Sequence, residues 1–210
     1  MILPTKVKEA IKNDLSNFDK MKPIYDRLDI PYKRGYLFYG NPGNGKTSLA
    51  TAIAGYLKKN ICYMNLRSID SDQSLQELFS RIPSNSILVL EDIDGSFDGR
   101  KSKGKITFSA LLNCLDGIFF KEKLITIITT NHVDKIDPAL IRPGRVDLQL
   151  EIKQPTKESV EQYLSIYYNE SIKLEYYNND YSMAQIVNFC TQHNKSDCID
   201  KVSFKKLKTA

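Results

Sequence analysis

Hydrophobic residues recur every three or four positions in the first segment of the chain. They are Val7, Ala10, Ile11, Leu15 and Phe18. This spacing places them on one face of an α-helix. Pro23 and Pro31 then interrupt the pattern, because proline disfavours the interior of a helix. We therefore predict an opening helix over residues 5–20 that ends ahead of Pro23.

Beyond residue 31, short apolar runs typical of strands alternate with segments of helical periodicity. The strand-like runs occupy residues 35–39, 61–64, 87–90, 124–130 and 146–152, and the helical segments occupy residues 46–59, 75–79 and 107–115. Short strands separated by helices require crossover connections, which give a mostly parallel sheet covered on both faces. The pattern predicts an α/β fold, a three-layer sandwich around a mostly parallel five-stranded sheet.

The pattern changes after residues 154–156, where strand-like runs stop. An amphipathic stretch follows, with apolar residues at Val160, Tyr163, Leu164 and Tyr167, and a second helical segment covers residues 184–189. We predict two domains, a nucleotide-binding α/β core over residues 1–154 and a small α-helical lid over residues 155–210. Residues 95–105 are rich in glycine, serine and lysine and are predicted to form a loop.

Composition and charge exclude several classes of protein. With 210 residues, of which 41% are hydrophobic, the chain is able to form a sizeable core. Its net charge of +5 comes from basic residues spread along the sequence, which gives little support for nucleic-acid binding. Its four cysteines lack CxxC spacing, which argues against a structural metal and favours a reducing compartment. No apolar run approaches the ~20 residues that span a bilayer, so we expect the chain as given to be soluble and intracellular, by default cytoplasmic.

Residues 40–47 read GNPGNGKT, which matches the phosphate-binding pattern G-x-x-x-x-G-K-T between a predicted strand and a predicted helix. Glycines let the backbone N–H groups of such a loop turn toward an anion, and the helix N-terminus adds positive potential. Lys46 is expected to neutralise the β- and γ-phosphates of ATP, and the Thr47 hydroxyl to bind Mg²⁺. The predicted nucleotide-binding residues are Gly40, Asn41, Pro42, Gly43, Asn44, Gly45, Lys46, Thr47 and Ser48.

Three carboxylates, Glu91, Asp92 and Asp94, follow the apolar strand of residues 87–90. Such a cluster repels itself unless a cation is present, and Mg²⁺ supplies one. Ligands of open α/β sheets bind at the carboxyl ends of the strands, so this cluster and the glycine-rich loop are expected to face one crevice. Taken alone, the cluster also fits a solvated acidic turn.

A second polar strand end lies at residues 129–131, where Asn131 follows two threonines. From that position Asn131 would reach the γ-phosphate or the attacking water. An isolated asparagine at the end of a strand is more often a simple turn residue.

Four stretches together resemble the AAA ATPases, namely residues 31–47, 86–94, 107–117 and 129–147. The last is the most specific, because Asn131 is followed by the sequence Arg142-Pro143-Gly144-Arg145. Among AAA ATPases the chain is similar to the mitochondrial chaperones that translocate the Rieske iron-sulfur protein during assembly of respiratory complex III. The resemblance covers nearly the whole chain and implies a P-loop NTPase of the AAA type, an ATPase that uses Mg²⁺.

The resemblance also implies roles for single residues. Asn131 would sense the γ-phosphate, and Arg142 and Arg145 would be arginine fingers that reach the ATP of a neighbouring subunit in a homo-oligomeric ring, a hexamer or heptamer. A protein substrate would be remodelled or translocated by that ring. Without the family pattern, both arginines would be expected to pair with local carboxylates, such as Asp134, Asp137 or Asp147.

The sequence departs from the usual AAA pattern in two places. Most AAA proteins have Asp and then Glu at the end of the acidic strand, whereas here Glu91 takes the magnesium position and Asp92 the water-activating one. Residues 65–70 contain no aromatic pore residue, which argues against threading an unfolded chain.

The Rieske chaperones also carry a membrane helix and a further domain ahead of the ATPase core, and this chain begins where the core should begin. The resemblance therefore implies that any membrane contact is made by a part absent from this chain. For a fragment of such a protein, the expected location is the mitochondrial inner membrane.

Three other functions remain open at this point. A GTP-dependent switch is suggested by Asp92-Ile93-Asp94-Gly95 and Asn131-His132-Val133-Asp134, although position 132 lacks the lysine of the guanine-reading motif N-K-x-D. An ATPase that acts on nucleic acid, such as a loader, would need a clustered basic channel. A nucleotide-binding module without turnover would result if Asp92 were badly placed.

Overall fold

A computed structural model describes residues 2–116, 123–177 and 180–203 of the chain. Gly117, at the end of one quoted stretch, and residues 204–210, within the predicted lid, lie outside the described residues. The chain divides into two compact units. The sheet unit comprises residues 12–40 and 46–151, and the helical unit comprises residues 1–11, 41–45 and 152–210. The assignment of a core to residues 1–154 and a lid to residues 155–210 stays a prediction.

The opening helix α1 spans Thr5–Leu28 and continues through Pro23, so the predicted end ahead of Pro23 is wrong. Packing explains why the proline is tolerated. The ring of Tyr32 stacks on Phe18 with centroids 4.2 Å apart and meets Tyr25 edge-on at 5.3 Å. The Tyr32 hydroxyl also donates to the Phe18 carbonyl at 3.0 Å. Pro23 removes the helical donor of the Asp19 carbonyl, while the bond at Phe18 and the aromatic contacts hold the helix on both sides of that turn.

Five parallel strands form the main sheet, namely β1 Arg34–Tyr39, β2 Asn60–Met64, β3 Ser86–Leu90, β6 Ile125–Thr130 and β7 Leu148–Glu151. Their order across the sheet is β2-β3-β6-β1-β7, which confirms the predicted α/β class. Every residue of β3 and β6 is buried, as expected of central parallel strands covered on both faces. Tyr39 pairs with Thr130 and Leu90 with Ile128, so the loops after β1, β3 and β6 leave the same edge of the sheet.

The remaining elements of the sheet unit connect these strands. They are α2 Lys46–Leu57, α3 Asp72–Ser80, the short α4 Ile93–Ser96, the strands β4 Phe97–Asp98 and β5 Lys101–Ser102, α5 Phe108–Asp116, and 3₁₀ turns at Leu66–Ser68 and Val133–Lys135. Strands β4 and β5 pair antiparallel as a small ribbon. The ribbon lies inside residues 95–105, so the prediction of a plain loop there is incomplete. A strand of only two residues is too short to produce a recognisable sequence pattern.

The helical unit contains α6 Lys157–Tyr168, α7 Met183–Gln192 and α8 Lys195–Ser203. Thr156 and Ser182 cap α6 and α7 through their side chains. The unit has its own apolar core, formed by Val160, Leu164, Ile172, Leu174, Ile186, Cys190, Cys198 and Val202. Helix α8 was not predicted, because it buries only Cys198 and Val202 and its other residues are mostly polar. Within the described residues, no helix is long and apolar enough to cross a membrane.

Candidate functional site

The glycine-rich loop connects β1 to α2 and has the backbone geometry that its motif predicts. Gly43 and Gly45 have φ angles of 79° and 92°, in the left-handed region that side chains with a Cβ atom rarely adopt. Lys46 is the first residue of α2, so the loop ends at the N-terminus of a 12-residue helix. A loop of this kind is suited to hold an anion such as a phosphate group.

Two residues of the loop contact the start of α7 within the helical unit. The Gly43 carbonyl accepts from the backbone N–H of Ala184 at 3.0 Å, and Asn44 Oδ1 accepts from the N–H of Met183 at 3.2 Å. A Cβ atom at Gly43 would lie 2.9 Å from the Ser182 hydroxyl. Residues 182–184 were missed by sequence reasoning, because nothing in a polar helix cap indicates which loop it will meet.

Lys46 is buried at 7% exposure, and neighbouring oxygen atoms hold its ammonium group. Its Nζ donates to the Gly40 carbonyl at 2.7 Å and to Asn131 Oδ1 at 2.6 Å. Burial lowers the pKa of the Lys46 ammonium, and the negative charges of Asp92 and Asp94 oppose that shift. The structure thus brings together the predicted phosphate lysine and the predicted sensor asparagine.

Thr47 and Glu91 lie side by side at the same edge of the sheet. The Thr47 hydroxyl donates to Glu91 Oε1 at 2.7 Å. Hydroxyl and carboxylate oxygens are the hard ligands that Mg²⁺ prefers, usually with several waters and phosphate oxygens completing its shell. The two residues therefore fit a magnesium ion that also contacts a bound triphosphate. Ser48 follows on the exposed first turn of α2.

Asp92 is an exposed residue with a left-handed backbone, at a φ angle of 45°. Its N–H donates to the Thr129 hydroxyl at 3.1 Å, and its Oδ1 accepts from Asn131 Nδ2 at 3.2 Å. The Asn131 amide therefore bonds to Lys46 through its oxygen and to Asp92 through its nitrogen. The three residues form a hydrogen-bond chain, which we call the Lys46–Asn131–Asp92 chain.

Asp94 lies on the other side of Asn131. Its Oδ1 accepts from the Thr130 hydroxyl at 2.5 Å and from the Asn131 N–H at 3.1 Å. Burial alone raises the pKa of the Asp94 carboxyl, but these hydrogen bonds outweigh burial and leave the pKa below its usual value. The sequence placed Asp94 in an acidic cluster without indicating this contact.

The two predicted arginine fingers differ in their surroundings. Arg145 makes a bidentate ion pair with Asp116 and donates to the Ala139 carbonyl, so it is committed to its own chain in this structure. Arg142 is exposed, and its side chain makes no hydrogen bond to any residue of the described segments.

The hydrogen bonds of the local carboxylates named for these arginines go to other groups, although the charge of Arg142 acts on Asp137. Asp137 pairs with Arg100 at 2.9 Å, and Asp147 accepts from the N–H groups of Gly35 and Gly144, each at 2.9 Å. Arg145 does have an intrachain partner, but the partner is Asp116, 29 residues before it in the chain. Such a distant pair gives no signal in the sequence.

The segment expected to carry a pore residue is held to the acidic strand end. Leu66 is buried at 1% exposure, and Arg67 Nε donates to the Gly95 carbonyl at 2.8 Å. Asn65 caps the intervening 3₁₀ turn. The segment therefore forms an ordered turn that contacts α4.

A family model agrees with the geometry of the site. The model of the ATPase family associated with various cellular activities (AAA) matches residues 36–154. This range includes the loop, the acidic strand end, Asn131 and both arginines.

Curated relatives point in the same direction. The chain is 42% identical over 178 residues to the probable mitochondrial chaperone bcs1 of Schizosaccharomyces pombe, an alignment that covers 81% of this chain and 40% of that protein. It is 39% identical over 181 residues to the probable mitochondrial chaperone BCS1-A of Dictyostelium discoideum, covering 80% and 43%. It is 45% identical over 161 residues to the mitochondrial chaperone BCS1 of Bos taurus, covering 71% and 38%. The chain thus spans about two fifths of the length of these relatives.

Proposed function

Since the chain belongs to the AAA family of ATPases, we propose that it binds and hydrolyses ATP with Mg²⁺ as one subunit of a homo-oligomeric ring. The observation that carries this proposal is the Lys46–Asn131–Asp92 chain beside the Thr47–Glu91 pair. These groups lie at one sheet edge. There the ammonium and the amide would contact the phosphates, the Asp92 carboxylate would activate water, and the hydroxyl and the Glu91 carboxylate would bind the metal.

The first step is binding of the triphosphate. Lys46 would neutralise the β- and γ-phosphates, and the N–H groups of the loop would donate to phosphate oxygens. Thr47 and Glu91 would hold the Mg²⁺ ion, which when bound offsets the negative charge of the phosphate oxygens. The Asn131 amide, which lies beside Lys46, would also contact the γ-phosphate.

The hydrolytic step needs a group that takes a proton from water. Asp92 is suited to this role, because its carboxylate is exposed and is oriented by Asn131 at 3.2 Å. Asp92 is one methylene shorter than the usual glutamate at this position. Its left-handed backbone, anchored to Thr129, fixes the direction of the carboxylate, so the attacking water would have to lie closer to the strand end.

A neighbouring subunit would complete the site through Arg142. Its exposed guanidinium would stabilise the charge that develops on the γ-phosphate, which makes hydrolysis depend on assembly. Arg145, which was predicted to share this role, would here hold the loop of residues 139–145 in place through Asp116.

The substrate we propose is a protein, because the relatives named above are chaperones. Those relatives are also named as mitochondrial, and we extend that location to this chain as part of the proposal. Without an aromatic pore residue at 65–70, remodelling or translocation would proceed by a route other than threading an unfolded chain.

A GTP switch is disfavoured by the position of Asn131. In the guanine-reading motif the asparagine contacts the base, whereas here Asn131 bonds to Lys46 of the phosphate loop. The amide would therefore contact the phosphates, with the base bound elsewhere. An ATPase acting on nucleic acid gains little support from the ribbon within residues 95–105, where Arg100 and Lys105 pair with Asp137 and Asp70.

The test of this function is steady-state hydrolysis of ATP measured over a wide range of protein concentrations. We expect specific activity to rise steeply with concentration, because the arginine finger comes from another subunit. GTP should be a poor substrate, and DNA should leave the rate unchanged at every salt concentration. Specific activity that is constant on dilution would contradict the ring, and DNA-stimulated hydrolysis would favour the loader.

A further inference from the structure

We propose that Asp94 is a positioning residue of the ATPase site, which fixes Asn131 and thereby sets both the discrimination of ATP from ADP and the rate of hydrolysis. This inference rests on the proposed function. It adds a residue that contacts neither the phosphates nor the water and acts through its neighbour.

The Asp94 carboxylate bonds to two neighbouring residues, Thr130 and Asn131. A single oxygen, Oδ1, accepts from the Thr130 hydroxyl and from the Asn131 N–H. The Thr130 oxygen also accepts from the His132 N–H at 3.0 Å. Since an ionised carboxylate only accepts, the one hydroxyl proton of Thr130 must point to Asp94. The carboxylate therefore fixes the chain on both sides of Asn131.

Asp94 is itself held from both sides. Its carbonyl accepts from Lys103 Nζ at 2.7 Å, and the following carbonyl, of Gly95, accepts from Arg67 Nε at 2.8 Å. The Gly95 N–H also donates to the Asp92 carbonyl at 2.8 Å. Because these bonds fix the backbone of Asp94, its carboxylate is able to hold Asn131 at a defined distance from the groups it contacts.

The Asn131 side chain, in turn, is hydrogen-bonded at both the oxygen and the nitrogen of its amide. Its Oδ1 accepts from Lys46 Nζ at 2.6 Å, and its Nδ2 donates to Asp92 Oδ1 at 3.2 Å. A shift of its backbone by a fraction of an ångström would lengthen one of these bonds or both. Because the proposed function puts the γ-phosphate beside this amide, such a shift would weaken contacts that ATP makes and ADP lacks.

The experiment compares Asp94→Ala, Asp94→Asn and Thr130→Val in the full chain, with Asp98→Ala in the neighbouring strand β4 as a matched control. Steady-state kinetics gives kcat and KM for ATP, and titration gives the affinities for ADP and for a non-hydrolysable ATP analogue. These quantities separate positioning from general loss of structure.

For Asp94→Ala we expect kcat to fall about tenfold to a hundredfold, as is typical for residues that orient a functional group. Preference for the ATP analogue over ADP should fall by a similar factor, whereas affinity for ADP should change less than about twofold. Asp94→Asn should retain most of the activity, because its amide oxygen accepts both bonds. Thr130→Val should show part of the Asp94→Ala defect, and combining the two should add little.

Two results would overturn the inference. One is an Asp94→Ala protein with the kcat and nucleotide preference of the wild type. The other is an Asp94→Asn protein as inactive as Asp94→Ala, which would mean that the charge itself acts in the reaction. A wild-type protein without hydrolysis would instead remove the proposed function, and the ratio of analogue to ADP affinity would still test Asp94.

Discussion

The Arg142→Ala protein is expected to bind ATP as tightly as the wild type and to hydrolyse it about a thousandfold more slowly. Arg142 is exposed and makes no side-chain hydrogen bond within the described residues, so its loss should leave the fold intact. The rate falls because no guanidinium from the next subunit then contacts the γ-phosphate. The measurement is single-turnover hydrolysis beside equilibrium ATP binding, with Arg81→Ala, another exposed arginine, as the control.

Mixing two inactive variants tests whether Arg142 acts on the ATP of a neighbouring subunit or on the ATP of its own subunit. An Arg142→Ala subunit has an intact site without a finger, and an Asp92→Asn subunit has the finger with a disabled site. An equal mixture should recover about a quarter of the wild-type activity, because random assembly pairs an intact site with an intact finger at about one interface in four. No recovery in rings that do contain both subunits would contradict the proposed role of Arg142.

The second large effect is expected for Asp92→Asn, which should lower kcat by a factor of about 10² to 10⁴. The amide keeps the size of the carboxylate and tolerates the left-handed backbone at position 92, but it cannot accept a proton from water. Affinity for ATP should stay near that of the wild type, since Lys46 and the loop are unchanged. Rapid-quench measurement of phosphate release checks the prediction.

The control for this variant is Asp98→Asn, which makes the same chemical change at an exposed carboxylate in strand β4. A normal kcat in Asp92→Asn would show that another group activates the water. A protein that loses ATP affinity together with kcat would show that Asp92 contributes mainly to binding.

The sheet was predictable because its central strands are buried runs of mostly apolar residues. Strand β3 is apolar after Ser86, β6 contains only isoleucine and threonine, and helices separate the two strands, so few other arrangements satisfy their backbone groups. The course of α1 through Pro23 was not predictable in this way. It depends on Tyr32 and Phe18, which meet only after folding.

The components of the site were predictable for a chemical reason. Binding a triphosphate with magnesium requires a glycine-rich loop, a lysine and carboxylates, and each leaves a sequence pattern at a strand end. Their partners were not predictable, since Lys46 and Asn131 are 85 positions apart. The pairing of Arg145 with Asp116 and the support of Asn131 by Asp94 likewise depend on how strands align in three dimensions.

Binding of a Mg²⁺–ATP analogue to the wild type and to Lys46→Ala tests the central claim, that a triphosphate is held where Lys46 and Thr47, at the start of α2, meet the acidic strand end. Loss of the charged hydrogen bonds of Lys46 should weaken binding about a hundredfold, since such bonds contribute about 1.5–3 kcal/mol each. Lys20→Ala, on the exposed side of α1, serves as the control and should bind normally. Equal affinity of Lys46→Ala and the wild type, measured by calorimetric titration, would place the nucleotide elsewhere and contradict the account.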